Sequence, residues 1–502
     1  MDAIQIKNLR SIEDTGMVEL KPITLLVGAN SSGKSTFLRT IPLFKQSLNA
    51  KTIGPLLWYG NEVDFGTYFT ALRQGESQMD FAFHWNKIED LEYGPFSYKG
   101  VLQDVSILLK LEKGEYDAII NQYEIHIGDN IIIIKNSTSR FFDVSVNGIP
   151  HTEYGINHIS ELPYDRDLLP ELFVSAANWS TYLNIDNAIV EPLRSCLRET
   201  SLQAYAEKFD MQVYLSWNLS SRTSMVQQLL QKLQVEADVD ISQLGDEPGI
   251  KNFINLFIFT WLRMILYYIN LMLTYEFSNS YYIKPFRASA ERYYRWQNLA
   301  VNTLDSDGNN MAMFVENMYR RKKEKTRFME WTRQLFGFEL NVQNPEGHLS
   351  LSIQETEGSA YNIADKGFGY SQILPVILTL WQIFSKAEEQ RRENSSRSIL
   401  VAIEQPELHL HPKLQAKLMD AFVAVINAAK TKNIDLKFLI ETHSQTIINR
   451  LGLKIARRQY QNTDAAILLF HAIEAEKHSP QIATYDNEGI LSNWPIGFFD
   501  AE

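Results

Sequence analysis

Cysteine is nearly missing from this sequence. Cys196 is the only one among 502 residues, and a single thiol can form neither an internal disulfide nor a cage of thiolate metal ligands. The sequence also shows no basic and apolar signal peptide at its start. These absences exclude the class of small disulfide-stabilised secreted domains, and we expect a cytoplasmic protein.

Positive charge is also scarce. The chain has 48 Lys and Arg residues against 60 Asp and Glu residues, a formal net charge of −12, which excludes a surface that is basic all over. A contact with nucleic acid must therefore use a local patch or a partner. The basic run from Arg320 to Arg327 is typical of a solvated helix face, and the alternative is such a local contact with nucleic acid.

Long apolar runs are rare, and the segment from Phe253 to Tyr275 is the one that resembles a membrane span. Arg263 lies near its middle, and a charge at bilayer depth is costly. A buried helix or a subunit contact can instead place Arg263 against a carboxylate. We therefore predict a helix of a protein core and no membrane.

The hydrophobic residues, 45% of the chain, suffice for one large core or two modest ones. β-rich runs between Asp80 and Val146 alternate with Gly and Asn turns and predict an antiparallel β-subdomain. The apolar runs Ser398–Ile403 and Leu436–Ile440 each lead into a helical stretch, as strands of a parallel sheet do. We predict an α/β fold with a head formed by residues 1–155 and 281–502 and a mainly helical insertion over 156–280.

A glycine-rich loop follows the apolar run Pro22–Val27 and precedes a helical stretch. Its sequence, Gly28-Ala29-Asn30-Ser31-Ser32-Gly33-Lys34-Ser35-Thr36, fits the P-loop pattern in the strand–loop–helix context that its mechanism requires. The glycines let backbone amides turn toward phosphates, Lys34 reaches the β and γ oxygens, and the Ser35 hydroxyl binds magnesium. A glycine turn before an ordinary helix is the alternative. We predict that ATP and Mg²⁺ bind here, through Gly28, Asn30, Ser31, Ser32, Gly33, Lys34, Ser35 and Thr36.

An acidic turn follows the strand Ser398–Ile403 and forms the candidate Walker B element. The carboxyl end of this strand delivers Glu404 to the phosphate edge of the sheet. Magnesium prefers oxygen ligands, so Glu404 is the candidate acid that holds the ion directly or through water. A buried strand before a solvated acidic turn is common, so this assignment depends on the P-loop.

A third polar cluster, Glu441-Thr442-His443-Ser444, follows the strand that ends at Ile440. Ligands of open α/β sheets bind at the carboxyl ends of strands, so we predict that His443 donates to the γ-phosphate and senses its presence. The alternative is a structural histidine.

These three motifs, in this order, resemble those of the ABC-type ATPases of the RecF, SMC and OLD group. Gly367-Phe368-Gly369-Tyr370-Ser371-Gln372 stands where that group has its signature element, although the wording LSGGQ is absent. The resemblance implies that Gly369, Ser371 and the amides of the next helix contact the γ-phosphate bound by another subunit. It therefore implies a homodimer or a larger homo-oligomer. A glycine turn with a serine cap is the alternative.

One position departs from that group. The residue after the Walker B acid is usually the glutamate that activates water, and here it is Gln405. An amide cannot accept the proton, so we predict slow hydrolysis, with Glu407 or His443 as weak substitutes for the base. The candidate catalytic residues are Glu404, Gln405, Glu407 and His443.

Three segments resemble, more narrowly, the PtuA-like ATPases of bacterial antiphage systems such as Septu: Glu404–Pro412, Pro285–Arg287 and Trp494–Asp500. Members of that family act with a separate HNH nuclease, PtuB, and some are associated with retrons. The resemblance implies an ATPase whose self-association controls a partner nuclease. We expect no nuclease centre of its own, because little chain follows His443 compared with a TOPRIM domain of on the order of 100 residues. The alternative is a DNA-repair or chromosome-maintenance ATPase that binds DNA directly.

Overall fold

The structure is a computed structural model, and the chain in it divides into two compact units. The first consists of Met1–Glu19, Gln46–Tyr59 and Phe65–Ser278, and the second of Leu20–Lys45, Gly60–Asp64 and Asn279–Glu502. The structure describes residues 1–50, 52, 54–93, 96–138, 141–154, 156–161, 168–170, 172–176, 221, 224, 225, 227, 228, 248–344, 346–355, 358–389, 397–470 and 479–495.

In the described part of the first unit, eleven strands form one antiparallel sheet in the order β12-β11-β9-β8-β7-β6-β5-β1-β2, with β10 on β9 and β3 on β1. Buried and more exposed residues largely alternate along β7, which is the pattern of a sheet covered on one face. The strands are β1 (Ala3–Leu9), β2 (Ile12–Asp14), β3 (Val18–Glu19), β5 (Gln78–Tyr93), β6 (Phe96–Lys113), β7 (Ala118–Ile127), β8 (Asn130–Thr138), β9 (Phe141–Val146), β10 (Ile149–Pro150), β11 (Ile156–Glu161) and β12 (Leu172–Ala176).

The last two of these strands lie where the sequence predicted the start of a helical insertion. β11 pairs with β9 through Ile159 and Phe142 and carries β12 on its other side. Such short strands are stabilised by pairing and packing with other strands, so their own periodicity does not reveal them. Most of the predicted insertion, residues 177–247 apart from the few named above, lies outside the described residues. The predicted division into head and insertion stays a prediction.

The first unit also contains the short helix α2 (Tyr68–Ala71) and the long apolar helix α3 (Pro248–Ser278). Two asparagines of α3 have partners inside the unit: Asn255 Oδ1 accepts from Asn147 Nδ2 at 2.7 Å, and Asn270 bonds both backbone groups of Leu169 at 2.8 and 2.9 Å. Arg263 lies on its exposed face. Among the described residues no single helix is long and apolar enough to cross a membrane. Two parts of α3, bent by 59° relative to each other, reach that length and hydropathy only when taken together.

The second unit is built on a sheet of seven strands among its described residues, in the order β13-β18-β19-β4-β20-β21-β22. The first five run parallel, and β21 and β22 are antiparallel additions. β4 and β20 are buried at every position, as expected for parallel strands covered on both faces. The strands are β4 (Ile23–Gly28), β13 (Tyr281–Ile283), β18 (Arg397–Glu404), β19 (Ile434–Glu441), β20 (Ala465–Phe470), β21 (Gln481–Tyr485) and β22 (Leu491–Ser492).

Helices and a small sheet complete the second unit. A buried core joins β4, β18 and β19 to these helices and to Trp381, whose side chain is among the largest that are fully buried. The small sheet has the order β14-β16-β15 with β17 on β16. The elements are α1 (Lys34–Leu48), which ends in the first unit, α4 (Met311–Tyr319), α5 (Lys322–Phe336), α6 (Phe368–Glu389), α7 (Pro412–Lys430), α8 (Gln445–Ala456), β14 (Tyr294–Arg295), β15 (Phe338–Gln343), β16 (His348–Glu355) and β17 (Ala360–Asn362).

The predicted fold class is confirmed. The chain is an α/β protein in which a parallel sheet carries the P-loop and an antiparallel sheet occupies the predicted β-rich region. The strands predicted at Ser398–Ile403 and Leu436–Ile440 are the neighbours β18 and β19.

Candidate functional site

The P-loop connects the buried strand β4 to α1, and its backbone follows a path that glycine makes possible. Gly28 has a φ of 151°, and a Cβ atom there would lie 2.2 Å from the carbonyl oxygen of Phe470 on the neighbouring strand β20. Gly33 has a φ of 101° and Ser31 a φ of 62°. The glycine spacing is therefore required by the loop geometry.

Lys34 opens α1 and is buried against this loop. Its Nζ donates to the carbonyl oxygens of Gly28 at 3.0 Å and Ala29 at 2.6 Å. Burial lowers the pKa of Lys34, and the charge of Glu441 opposes that effect. Nearby, Ser32 Oγ is buried and has no hydrogen-bond partner among the described residues. The loop thus combines a held ammonium group with an unsatisfied hydroxyl, which fits a phosphate ligand.

Strand register delivers two carboxylates to the edge where the P-loop lies. On the parallel strands β18 and β19, Glu404 stands opposite Glu441, and Glu441 stands opposite Leu26 of β4. Both carboxylates are buried. All of these residues belong to the second unit.

Glu404, the predicted Walker B acid, is held by two side chains. Arg39 of α1 donates to both of its oxygens at 2.7 Å, and the Tyr282 hydroxyl donates to Oε1 at 2.6 Å. The hydrogen bond with Glu404 raises the pKa of Arg39, and burial raises the pKa of Tyr282. The binding of magnesium by Glu404 stays a prediction. In the structure, the negative charge of its carboxylate is compensated by Arg39.

Glu441 is the second carboxylate, and the sequence analysis did not select it. Gln405 Nε2 donates to its Oε1 at 3.4 Å. Oε2 is buried without a hydrogen-bond partner among the described residues. Burial raises the pKa of Glu441, and the nearby Ser35 side chain opposes that rise. The available sequence signal was its position at the end of a parallel strand, the same position that singled out Glu404.

The turn after β18 has an unusual backbone and a buried cation beneath it. Gln405 has a φ of 43°, and its N–H donates to the Glu441 carbonyl at 2.9 Å. Arg287 Nη2 donates to the carbonyl of Glu404 at 2.9 Å. Burial lowers the pKa of Arg287 to about 10, and the nearby carboxylates oppose that effect. Arg287 entered the sequence analysis through a resemblance, and the structure places it under the Walker B turn.

The two predicted substitutes for the base lie side by side. Glu407 Oε1 accepts a hydrogen bond from the backbone N–H of His443 at 2.6 Å. Burial raises the pKa of Glu407, and this hydrogen bond opposes the rise. Partial burial lowers the pKa of His443, and the positive charge of Lys34 lowers it further. The structure thus brings both groups to the edge that also carries Lys34.

The signature element begins α6. Gly367 has a φ of 78°, and Phe368 is 62% exposed. Ser371 is only 1% exposed, and its hydroxyl donates to the Phe368 carbonyl at 2.8 Å, so the part of this element that faces solvent is its first residues. Gln372 Nε2 donates to the Arg287 carbonyl at 3.2 Å. The roles predicted for Gly369 and Ser371 stay predictions.

Comparison with known proteins assigns the chain to a family. The model of the AAA ATPase domain, AAA_15, matches residues 1–244 and 287–448. The chain belongs to this AAA ATPase family. None of the curated proteins matches the sequence.

Smc head domains are among the solved structures that resemble the chain. One is the Smc head domain with an extended coiled coil bound to the C-terminal domain of ScpA, from Pyrococcus furiosus, with 10% identity and a TM-score of 0.32, covering 97% of this chain and 96% of that one. Another is the Smc head domain with a coiled coil and joint from Pyrococcus yayanosii, with 8% identity, a TM-score of 0.32 and 97% of each chain covered.

The environment of His443 predicts a pH response. Because burial and Lys34 lower its pKa below the usual 6.5, the imidazole is neutral at neutral pH. The unfolded chain then binds the proton first as the pH falls, so protonation of this group destabilises the fold from about the unfolded pKa of 6.5 downward. NMR titration of the His443 ring should give a pKa below 6.5.

Replacing Lys34 should raise the pKa of His443. In Lys34→Met the positive charge is gone, so the pKa of His443 should rise toward 6.5. Lys322→Met, at an exposed position of α5, is the matched control and should leave it unchanged. A wild-type value at or above 6.5 would contradict the described environment.

Proposed function

We propose that this AAA ATPase is an ABC-type enzyme that binds Mg-ATP at its P-loop and completes the site with a second copy of the chain. One observation carries the proposal: Lys34 and Ser35 open α1 at the sheet edge where β18 and β19 deliver Glu404 and Glu441. A cation, a hydroxyl and two carboxylates at one edge are the groups that a magnesium-bound triphosphate needs.

The residues at this edge fit magnesium as well as phosphate. The ion takes hard oxygen ligands and uses few protein groups beside the phosphates and water. Ser35 supplies a hydroxyl, and Glu404 is the acid predicted from the sequence. When bound, magnesium neutralises charge on the phosphate oxygens. The protein's own part is to orient the triphosphate through the loop amides and Lys34.

The second half of the site comes from the signature element of another subunit. Its exposed residues lie at the start of α6, whose first-turn amides favour an anion. The exposed ring of Phe368 lies in this element, and a facing subunit would bury it. The start of α6 in one chain therefore closes the nucleotide site of the other chain. In such a homodimer both chains contribute to each of the two sites.

Mixing two inactive variants tests this arrangement. Lys34→Ala should lose nucleotide binding, and Phe368→Glu should place a negative charge against the partner's triphosphate. In a mixed dimer one site has both defects and the other is intact, so random pairing should restore about a quarter of the wild-type turnover. Ile490→Glu, at an equally exposed apolar position (60%), is the control and should remain active alone. If the mixture stays inactive although mixed dimers form, the composite site is refuted.

We further propose that hydrolysis is slow because position 405 has no base. Gln405→Glu should raise turnover at least tenfold, since a positioned general base contributes about 10²-fold or more. The carboxylate of Glu441, close to this side chain, should raise the pKa of the new carboxyl toward the range that suits a base near neutral pH. Gln405→Ala is the control and should give no increase. An unchanged rate in Gln405→Glu, measured by phosphate release, would show that another step limits turnover.

The biological role that we propose is regulation of an HNH nuclease partner in an antiphage complex, in the cytoplasm. The resemblance to PtuA-like ATPases supports it. The alternative is a DNA-repair or chromosome-maintenance ATPase, which the exposed basic residues Arg320, Arg321, Lys322 and Lys323 favour. The two differ in a measurable way. The defence role expects DNA cleavage only after a partner nuclease is added, whereas the alternative expects strong DNA binding by the chain alone that weakens steeply with salt.

A further inference from the structure

We infer that Glu441 is the carboxylate that holds magnesium, through its water shell, beside Ser35, and that Glu404 instead joins Arg39 and Tyr282 in a buried structural cluster. This inference rests on the proposed function, since it concerns the same nucleotide site. It assigns the magnesium-binding carboxylate to Glu441, which ends β19, instead of Glu404, which ends β18.

Glu404 has little capacity left for a metal. Both of its oxygens accept short hydrogen bonds from Arg39, and Oε1 also accepts one from Tyr282. Its side chain is almost completely buried. Removing one partner from a buried ion pair is strongly destabilising because the other charge stays behind. Drawing Glu404 toward an ion at Ser35 would break this cluster.

Glu441 has the opposite properties. One oxygen of its buried carboxylate has no hydrogen-bond partner among the described residues. Ser35, the residue whose hydroxyl a P-loop offers to magnesium, lies close enough to this carboxylate to oppose the rise in its pKa. Lys34 is near enough for its charge to act on Glu441. A buried and unsatisfied carboxylate oxygen at this position is a ready acceptor for a metal-bound water.

The residue at position 405 fits this assignment. The Gln405 amide nitrogen lies 3.4 Å from a Glu441 oxygen, and the Gln405 backbone N–H donates to the Glu441 carbonyl. A carboxylate at 405 would face Glu441 with like charge, whereas an amide can donate to it. An acid at 441 is therefore compatible with the amide at 405.

The test compares Glu441→Gln with Glu404→Gln in the full chain. ATP affinity is measured by calorimetry in the presence of magnesium and in the presence of EDTA. With EDTA present, we expect Glu441→Gln to bind ATP as tightly as the wild type does. With magnesium present, the increase in its ATP affinity should be at least tenfold smaller than the increase in the wild type. Glu404→Gln should keep that gain within about twofold and should melt at a lower temperature, because it loses charge against Arg39. Both substitutions preserve side-chain shape.

A second measurement does not depend on affinity for ATP. Electron paramagnetic resonance of Mn²⁺ in the ATP complex should show weaker metal binding in Glu441→Gln, and Glu441→Asp should recover part of it, because a carboxylate remains at shorter reach. In the double variant Ser35→Ala with Glu441→Gln, the losses should be less than additive, as expected for groups that act on one ion.

The opposite pattern overturns the inference. If Glu404→Gln loses the magnesium gain and Glu441→Gln keeps it, the acid of β18 holds the ion. If neither substitution reduces the gain, neither carboxylate does. If the wild type binds no ATP even with magnesium, the proposed function fails and the inference fails with it, so the two failures are distinguishable.

Discussion

The candidate site depends on the parallel register of three neighbouring strands. β18, β19 and β4 lie side by side, with Glu404 opposite Glu441 and Glu441 opposite Leu26. Because parallel strands end at a common edge, this register places two carboxylates beside the loop that β4 enters. A slip of one residue would turn an acid to the opposite face of the sheet.

The buried carboxylates at this edge of the sheet are compensated by nearby cations. A buried charge is costly unless it is paired, and each buried acid has a cation close by: Arg39 at Glu404, Lys34 near Glu441, and Arg287 near Glu407. Gln405 adds polarity to the same edge without adding negative charge. The edge is therefore electrostatically compensated by the chain itself.

Contacts inside the second unit also join the predicted signature element to the turn that follows β18. The side chain of Gln372 donates to the Arg287 carbonyl, and the Arg287 guanidinium donates to the Glu404 carbonyl. A Cβ atom on Gly369 would lie 3.3 Å from the carbonyl oxygen of His409, in the segment after that turn. Both halves of the proposed composite site are thus supported by the same packed elements, which favours a fixed geometry in each chain.

The sequence by itself determined the P-loop, since its glycine spacing encodes a backbone path, and it determined the apolar strands that end at Glu404 and Glu441. It did not disclose β11 and β12, whose stability depends on pairing with other strands. Only the tertiary structure decided that Arg39, 365 residues away in sequence, binds Glu404, and that Glu441 lies close to Ser35. The physical reason is that strand order decides which side chains meet at the edge, and no local pattern encodes strand order.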